Sequence, residues 1–495
     1  MHYNITVPDP QSHLLNLTYT IPDINAEQIE IQLPAWRPGR YEIQNFAKNI
    51  QYMEARTTGG RRLPLFKVTK DRWRVVTEGE KQVEIHYRHH AAIQNAGSSY
   101  VDDELWYLNF VNFCMYTEGR IDEPYTVKLH LPGDFEMACG LHKLGLNELA
   151  ADNFYRLADC PLLASATLQQ RGYTVRGVHF HIWMHGKLRP DWKRIERDFR
   201  RFSREQIATM EEFPENEYHF INLILPTAFY HGVEHFNSTM IVLGPDDEGE
   251  GLYGDLLGVS SHELFHTWNV IRIRPKELLP YDFTKENYFE TCFVAEGCTT
   301  YYGDLFLRRA GIFDDDAYIR ELQVYMKRHF ENSSRAAQSL TESSFDLWLD
   351  GYEKGIPDRK VSVYHKGALA AMILDLYLRK VTNHARSLDD VMRILWSRFG
   401  KPFIGYSLHD YFNVVEEVAG ESLEWYWQEC ILSSEPLENR LNEMLAFVGL
   451  QMSVSDNGNV QLNVLDDFRA KIHRDQWLHT KQVLTAQERQ EEEEE

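Results

Sequence analysis

At 495 residues and 43% hydrophobic, with a formal charge of −22, the chain is long enough for two to four domains, each with a core of its own. No Lys/Arg run or basic patch relieves that acidity, which argues against nucleic acid or an anionic membrane surface as a partner. No stretch approaches about 18 apolar residues, the N-terminus does not read as a leader, and six scattered cysteines without a C-x-x-C pair suit reduced thiols in a cytoplasm.

Residues 1–168 read as a β domain. Runs such as "HLLNLTYTI", "QIEIQLPAW", "QVEIHYRHH" and "YTVKLHLP" alternate apolar and polar residues and are set apart by Pro, Gly, Asn and Asp, as short half-buried strands are. From 169 to 310 the signals mix. "GVHFHIWMHG" reads as a strand, "RPDWKRIERDFRRFSREQIATMEEF" as a long amphipathic helix, and "YHFINLILP" and "STMIVLG" as further strands. Helical spacing dominates from 252 onward, in "LYGDLLGVSSHELFHTWN", "NYFETCFVAEGCTTYYGDLFLRRAG" and "YHKGALAAMILDLYLRKVT". Residues 311–450 therefore read as a helical domain. Residues 451–495 read as a short extension with weak helix and strand signals, closed by a solvated acidic tail, "QEEEEE". Met184 and Trp348, Trp396, Trp425 and Trp427 read as core.

Two metal-protease motifs stand close together. "HGVEH" at 231–235 is the inverted form, H-x-x-E-H, and "HELFH" at 262–266 the forward form, H-E-x-x-H. Two imidazoles grip one zinc when they sit at i and i+4 of a helix, because those positions share a face. Around 262 the flanks suit a helix: Leu256, Leu257, Val259, Leu264 and Phe265 are apolar, and no Gly or Pro interrupts 259–274. Around 231 they do not, with Pro226 just before, Gly232 inside and a β-branched run after. With 21 histidines in the chain, roughly 0.09 forward motifs are expected by chance. Glu296, in "FVAEGCTTYY" on the following helix, is the natural third ligand beside His262 and His266. Three protein ligands leave one position open, as in catalytic rather than structural zinc. Glu263 would then act as general base toward water. His179 and His181 share a strand face and read as wet surface. Arg272 and Arg274 in "RIRP" read either as holders of a substrate carboxylate or as a solvated basic turn.

"SHELFHTWNVIRIRP" followed by "ENYFETCFVAEGCTTYYGDL" resembles the glycyl aminopeptidase family of zinc metallopeptidases, gluzincins distantly related to the aminopeptidase N group. "LPAWRPGRYEIQNFA", "QSLTESSFDLW" and "YHKGALAAMILDLYLR" resemble further blocks of that family, in the same order. The resemblance implies a multidomain α+β architecture: an N-terminal β domain, a thermolysin-like α/β catalytic domain over 169–310, and a C-terminal helical bundle that completes the cleft. It implies Zn2+ on His262, His266 and Glu296, the set that the spacing suggests. "HGVEHFNST" looks like the family's amine-anchoring strand. Glu234 would hold the substrate's α-ammonium group, Gly232 would lie where the strand backbone meets the substrate, and the bland alternative pairs Glu234 with a neighbouring Arg. Tyr364, before a Lys-Gly pair in "VYHKGAL", would be the oxyanion donor. Asp304 is a candidate to orient a ligand imidazole. His231 stands where the family's motif begins with Gly, Ile271 where it usually has Lys, and 451–495 is too short for the PDZ domain usual there.

These readings converge on a cytoplasmic zinc aminopeptidase that removes small, Gly- or Ala-like N-terminal residues from peptides. Two alternatives remain at this stage. One is a thermolysin-like endopeptidase in which Glu234 anchors nothing, and the other a catalytically silent gluzincin fold that binds peptides. The oligomeric state is left open.

Overall fold

The computed structural model describes residues 1–246, 250–353, 355–357, 359–455 and 459–479; the acidic tail lies outside them. Up to Ser165 the chain is built almost entirely of strands. Leu14–Ile21 shows why. Leu15, Leu17, Tyr19 and Ile21 are buried while the residues between them are half-exposed, so the alternation in the sequence becomes the two faces of a sheet. That strand runs antiparallel to His2–Thr6 in an eight-stranded sheet, where Tyr3 faces Tyr19 and the two rings stack at 4.6 Å. Two four-stranded sheets complete this region.

A five-stranded sheet follows, from β1 (Gln169–Val175), β2 (Val178–Gly186), β3 (Glu217–Ile224), β4 (Phe229–Glu234) and β5 (Ser238–Gly244), in the order β1–β2–β3–β5–β4. β2, β3 and β5 are parallel, and the two edge strands β1 and β4 are antiparallel to their neighbours. β3 and β5 are buried almost end to end, as parallel strands covered on both faces are. Between β2 and β3 runs α1 (Trp192–Met210), capped by Asp191, which buries Ile195, Phe199 and Phe202. β4 is the stretch that carries "HGVE". It is a strand, so the inverted motif has no helical turn on which to gather its histidines.

Helices then take over. α2 (Glu250–Phe265) packs on β4, β5 and α3 (Thr299–Arg309), and α4 (His365–Val381) packs on the turn that precedes α3. Leu256, Leu257, Val259, Leu264 and Phe265 of α2 are buried in one core with α1, α3 and α4. Trp396 and Trp427 belong to that core, whereas Trp348 and Trp425 are only partly buried. Near the end of the described chain a hairpin (Leu450–Val454 and Val460–Val464) and a helix (Phe468–Leu478) pack back, with Trp477 donating to the Tyr301 hydroxyl at 2.8 Å. Among the described residues, no helix is long and apolar enough to cross a membrane.

The β-rich region and the α/β region are stitched together by aromatic residues. Trp36 donates its indole N–H to Asp282 O at 2.8 Å and meets Tyr281 and Trp348 edge-on at 5.5 and 5.0 Å. Tyr281, Phe283 and Phe289 thus share a core with the N-terminal sheets. The loop just after Trp36, Arg37–Arg40, is carried by this contact to the edge of the five-stranded sheet.

Candidate active site

His262 lies in the last turn of α2. That turn continues through His266, whose N–H reaches His262 O at 3.4 Å. Both imidazoles therefore emerge on one face, their Nε2 atoms 3.0 Å apart. Glu296 comes from a π-helical turn, Phe293–Cys298, that opens into α3. Its Oε2 lies 3.3 Å from His266 Nε2 and 3.7 Å from His262 Nε2. Such a wide turn displaces one residue from the regular helical stagger, and here the displaced residue is the carboxylate that meets the two imidazoles.

The polar shell beyond these three residues is also built. His266 Nδ1 lies 2.6 Å from Asn269 O, which fixes the proton on Nδ1 and leaves the Nε2 lone pair free for a ligand. The Asn269 amide in turn donates to Val294 O, Ala295 O and Thr299 Oγ1 at 2.9, 3.2 and 3.0 Å, tying the histidine turn to the glutamate turn. Asp304, the residue proposed from sequence for such orienting work, instead accepts from the Tyr325 hydroxyl at 3.2 Å. Asn269 was missed in the sequence reading. Its presence three residues past His266 is the only trace that the sequence carries.

Electrostatics show what the pocket lacks. Glu234, Glu263 and Glu296 are all buried beside two imidazoles. Burial alone would lower the His266 imidazole, but Glu296, Glu234 and Glu263 outweigh it and push it up to about 10. Burial would likewise raise Glu296, yet His266 and His262 hold it down to about 2. Two Nε2 atoms and a firmly ionised carboxylate aimed at one point, among three buried carboxylates that draw positive charge onto His266, form a donor set suited to a divalent metal of zinc's type.

Around that point lie the remaining candidates. Glu263 is 5% exposed, its Oε2 has no hydrogen-bond partner, and burial holds its carboxyl well above the usual range. Gly232 sits over it: a Cβ there would come within 2.3 Å of Glu263 Oε1 and 2.7 Å of Val259 Cγ2, so only glycine lets β4 approach the metal helix. Glu234 ends β4, 6% exposed, with one oxygen within 4.8 Å of Glu263 and His266. Among the described residues no Lys or Arg stands within ion-pair distance of it; the buried Arg37 acts on it through charge alone, without a contact. Gly39, with φ +76°, presses on the carboxylate from the N-terminal region, where a Cβ would lie 2.8 Å from Glu234 Oε2. Tyr364 stands at the start of α4, partly buried, with its phenol held well above its ordinary pKa by burial and then by Glu296. α4 comes this close because Gly367 meets Gly297: a Cβ on Gly297 would lie 2.6 Å from Gly367 Cα. All seven residues named from sequence (Gly232, Glu234, His262, Glu263, His266, Glu296 and Tyr364) line one cavity of about 1400 Å³.

Other histidines do not join them. His231 lines the same cavity, but His235 turns away to Asp159, at 3.1 Å. On the far sheet face His181, Glu217 and His219 cluster. There Trp183 donates to His219 Nδ1 at 3.1 Å, which places the imidazole proton on Nε2 and removes that atom as a metal ligand. Arg272 and Arg274 are buried and line a different cavity, so neither a solvated turn nor the floor of this cleft describes them.

A helix-borne His/His/Glu set with a buried glutamate beside it, under the edge of a mixed sheet, is the arrangement of a zinc metallopeptidase. Comparison with known proteins narrows the class. Residues 2–166 match the model of the peptidase M61 N-terminal domain, and residues 255–370 that of the M61 glycyl aminopeptidase. The chain superposes on the crystal structure of an aminopeptidase N family protein from Idiomarina loihiensis with a TM-score of 0.86 and 32% identity, covering 92% of this chain and 80% of that one. An M1 zinc metallopeptidase from Deinococcus radiodurans shares the fold at 17% identity and a TM-score of 0.54, covering 88% of this chain and 94% of that one. A mutant of that enzyme bound to Tyr-ser-ala superposes with a TM-score of 0.53 at 16% identity, covering 88% of this chain and 94% of that one. No curated protein matches the sequence. The chain belongs to the M61 glycyl aminopeptidase family and is a zinc aminopeptidase.

Proposed function

We propose that the enzyme removes small N-terminal residues, Gly- or Ala-like, from peptides, with Zn2+ held by His262, His266 and Glu296. Zinc in that set supplies a Lewis acid that polarises the scissile carbonyl and makes water acidic enough to attack it near neutral pH. The protein's own groups do the rest. Glu263 takes a proton from the attacking water and returns it to the leaving nitrogen; burial keeps its carboxylate a stronger base than one in water. Tyr364 donates its hydroxyl hydrogen to the carbonyl oxygen as charge develops there. Glu234 pairs with the substrate's α-ammonium group, and the open edge of β4 at Gly232 accepts the substrate backbone as an added strand.

The observation that carries the exopeptidase reading is Glu234 itself. A buried carboxylate that no Lys or Arg contacts, and that shares His266 with two other carboxylates, gains from a cation that arrives with the substrate. Gly39 lies against Glu234, and His231 stands in the cleft lining where the family's motif begins with Gly, which supports small first residues. Six unbonded thiols support a cytoplasmic setting, and the domains divide at about residues 168, 310 and 450 in this reading.

The test compares a glycyl chromogenic amide with its N-acetylated twin, using zinc-loaded protein and Glu263→Gln as the blank. Cleavage of the free amine alone, reduced by about 10²–10⁴-fold in Glu263→Gln, is expected. Equal cleavage of both amides would transfer the assignment to a thermolysin-like endopeptidase. A fall of free-amine cleavage in Glu234→Gln to the level of the acetylated twin, with zinc content unchanged, would identify the anchor.

A further inference from the structure

A second cavity, of about 850 Å³, shares a wall with the catalytic cleft. Gly39 and Glu234 line the cleft, while Pro38 and Phe236 line the second cavity, so the strand end and the N-terminal loop separate the two. Arg156, Arg272 and Arg274 converge there. The first two stack on the Phe236 ring, their guanidinium carbons 3.9 and 3.8 Å from its centroid. Arg272 is fully committed: it pairs with Glu215 at 2.6 Å and donates to Thr267 O and Phe236 O.

Arg274 is not. It is 7% exposed, donates Nη2 to Ile271 O at 2.8 Å, and rests on Tyr281 with its guanidinium carbon 4.2 Å from the ring centre. Its Nε is buried without an acceptor, and among the described residues no carboxylate lies within ion-pair reach. Arg156 leaves a buried Nη1 unpartnered in the same way. A buried guanidinium with unmade hydrogen bonds is costly, and a stacked ring offsets only part of that.

The acidic residues of the lining divide into two sets. Glu215 holds Arg272, Glu212 holds Lys401 and the Trp396 indole, and Asp159 accepts the Phe236 N–H and faces His235. Asp122 and Asp152 are exposed and make no hydrogen bond among the described residues. The cavity thus offers an unmatched cation at depth, unmatched carboxylates at its exposed rim, and aromatic walls between. A multiply charged oxyanion would meet repulsion at that rim. We propose that this cavity binds a small zwitterion, an α-amino acid or short peptide, with its carboxylate on Arg274 and its ammonium group toward Asp122 and Asp152. The site stands apart from catalysis, although its ligand is of the class that an aminopeptidase releases.

The test is calorimetric titration of the zinc-loaded full chain with L-phenylalanine, alongside phenethylamine, which lacks the carboxylate, and inorganic phosphate. L-Phenylalanine alone is expected to bind, about tenfold or more weakly in Arg274→Gln, and unchanged in Glu234→Gln across the wall. The rim double variant Asp122→Asn/Asp152→Asn, which leaves the buried side intact, is expected to weaken binding several-fold and decides the matter should Arg274→Gln not fold. Binding lost in Glu234→Gln but kept in Arg274→Gln would place the amino acid in the catalytic cleft and overturn the proposal. Equal binding of phenethylamine, preferential binding of phosphate, or no binding at all would overturn it as well.

Discussion

Asn269 touches no reacting atom, yet three helical segments meet at its amide and carbonyl. Its carbonyl sets the tautomer of His266, and its side-chain N–H groups hold the Val294 and Ala295 carbonyls of the wide turn that carries Glu296 and the Thr299 hydroxyl just beyond it. Replacing it by Ala keeps the carbonyl but releases the Glu296 turn. Asn269→Ala is therefore expected to lose zinc about 10–100-fold more readily, measured by competition with a chromogenic chelator, with little change in kcat once zinc is saturating. An unchanged zinc affinity would mean that the turn holds its shape without the amide. The metal residues were legible in the sequence because H-E-x-x-H has a fixed helical meaning. Asn269 was not, because an asparagine after a helix is an ordinary residue until its partners are known.

Among the elements, the wide turn and the start of α4 depend on each other. Gly297 and Gly367 touch backbone to backbone, which lets Tyr364 reach the same cavity as Glu296. A methyl group there has backbone rather than a yielding side chain to displace. Gly367→Ala is expected to destabilise the fold by about 1–3 kcal/mol in urea melts and to lower kcat more than it raises KM, since Tyr364 would shift while Glu234 would not. The alternation of Leu14–Ile21 and the apolar spacing of α2 were readable because they encode burial directly. The wide turn, the parallel pairing of β2, β3 and β5, and the contact between two glycines were not. Each depends on where a distant segment lies, and a glycine gives no hint of which surface it will meet.

Across the whole molecule, buried histidines set the response to acid. Burial pushes His89 down to about 3 from an ordinary 6.5, and His329 likewise to about 3. Between those values the unfolded chain binds protons that the folded chain refuses. Each site therefore contributes stability that is fully present above pH 6.5 and is lost as pH falls toward 3, by up to about 1.4 kcal/mol per pH unit. Urea midpoints are expected to drop between pH 7 and pH 5, and His89→Met to flatten that slope by about one proton; an unaltered slope would show that His89 is hydrated in the native state. The β-rich, mixed and helical regions could be read from composition and periodicity, but the seam between them could not. Trp36, Tyr281 and Trp348 are far apart in sequence, and nothing local marks them as neighbours.

That seam makes the enzyme a gauge of its own assembly. The carboxylate proposed to grip the substrate is braced on one side by Gly39, from a loop that the Trp36 contact holds in place, while the metal helix belongs to the other side. A slight loosening of the seam would slacken the grip before it disturbed the metal. In dilute urea, far below the melting transition, KM for a free-amine substrate is expected to climb while near-ultraviolet dichroism and zinc content stay level. Turnover measured at low substrate would then register motions between the two halves too small for bulk spectroscopy to see.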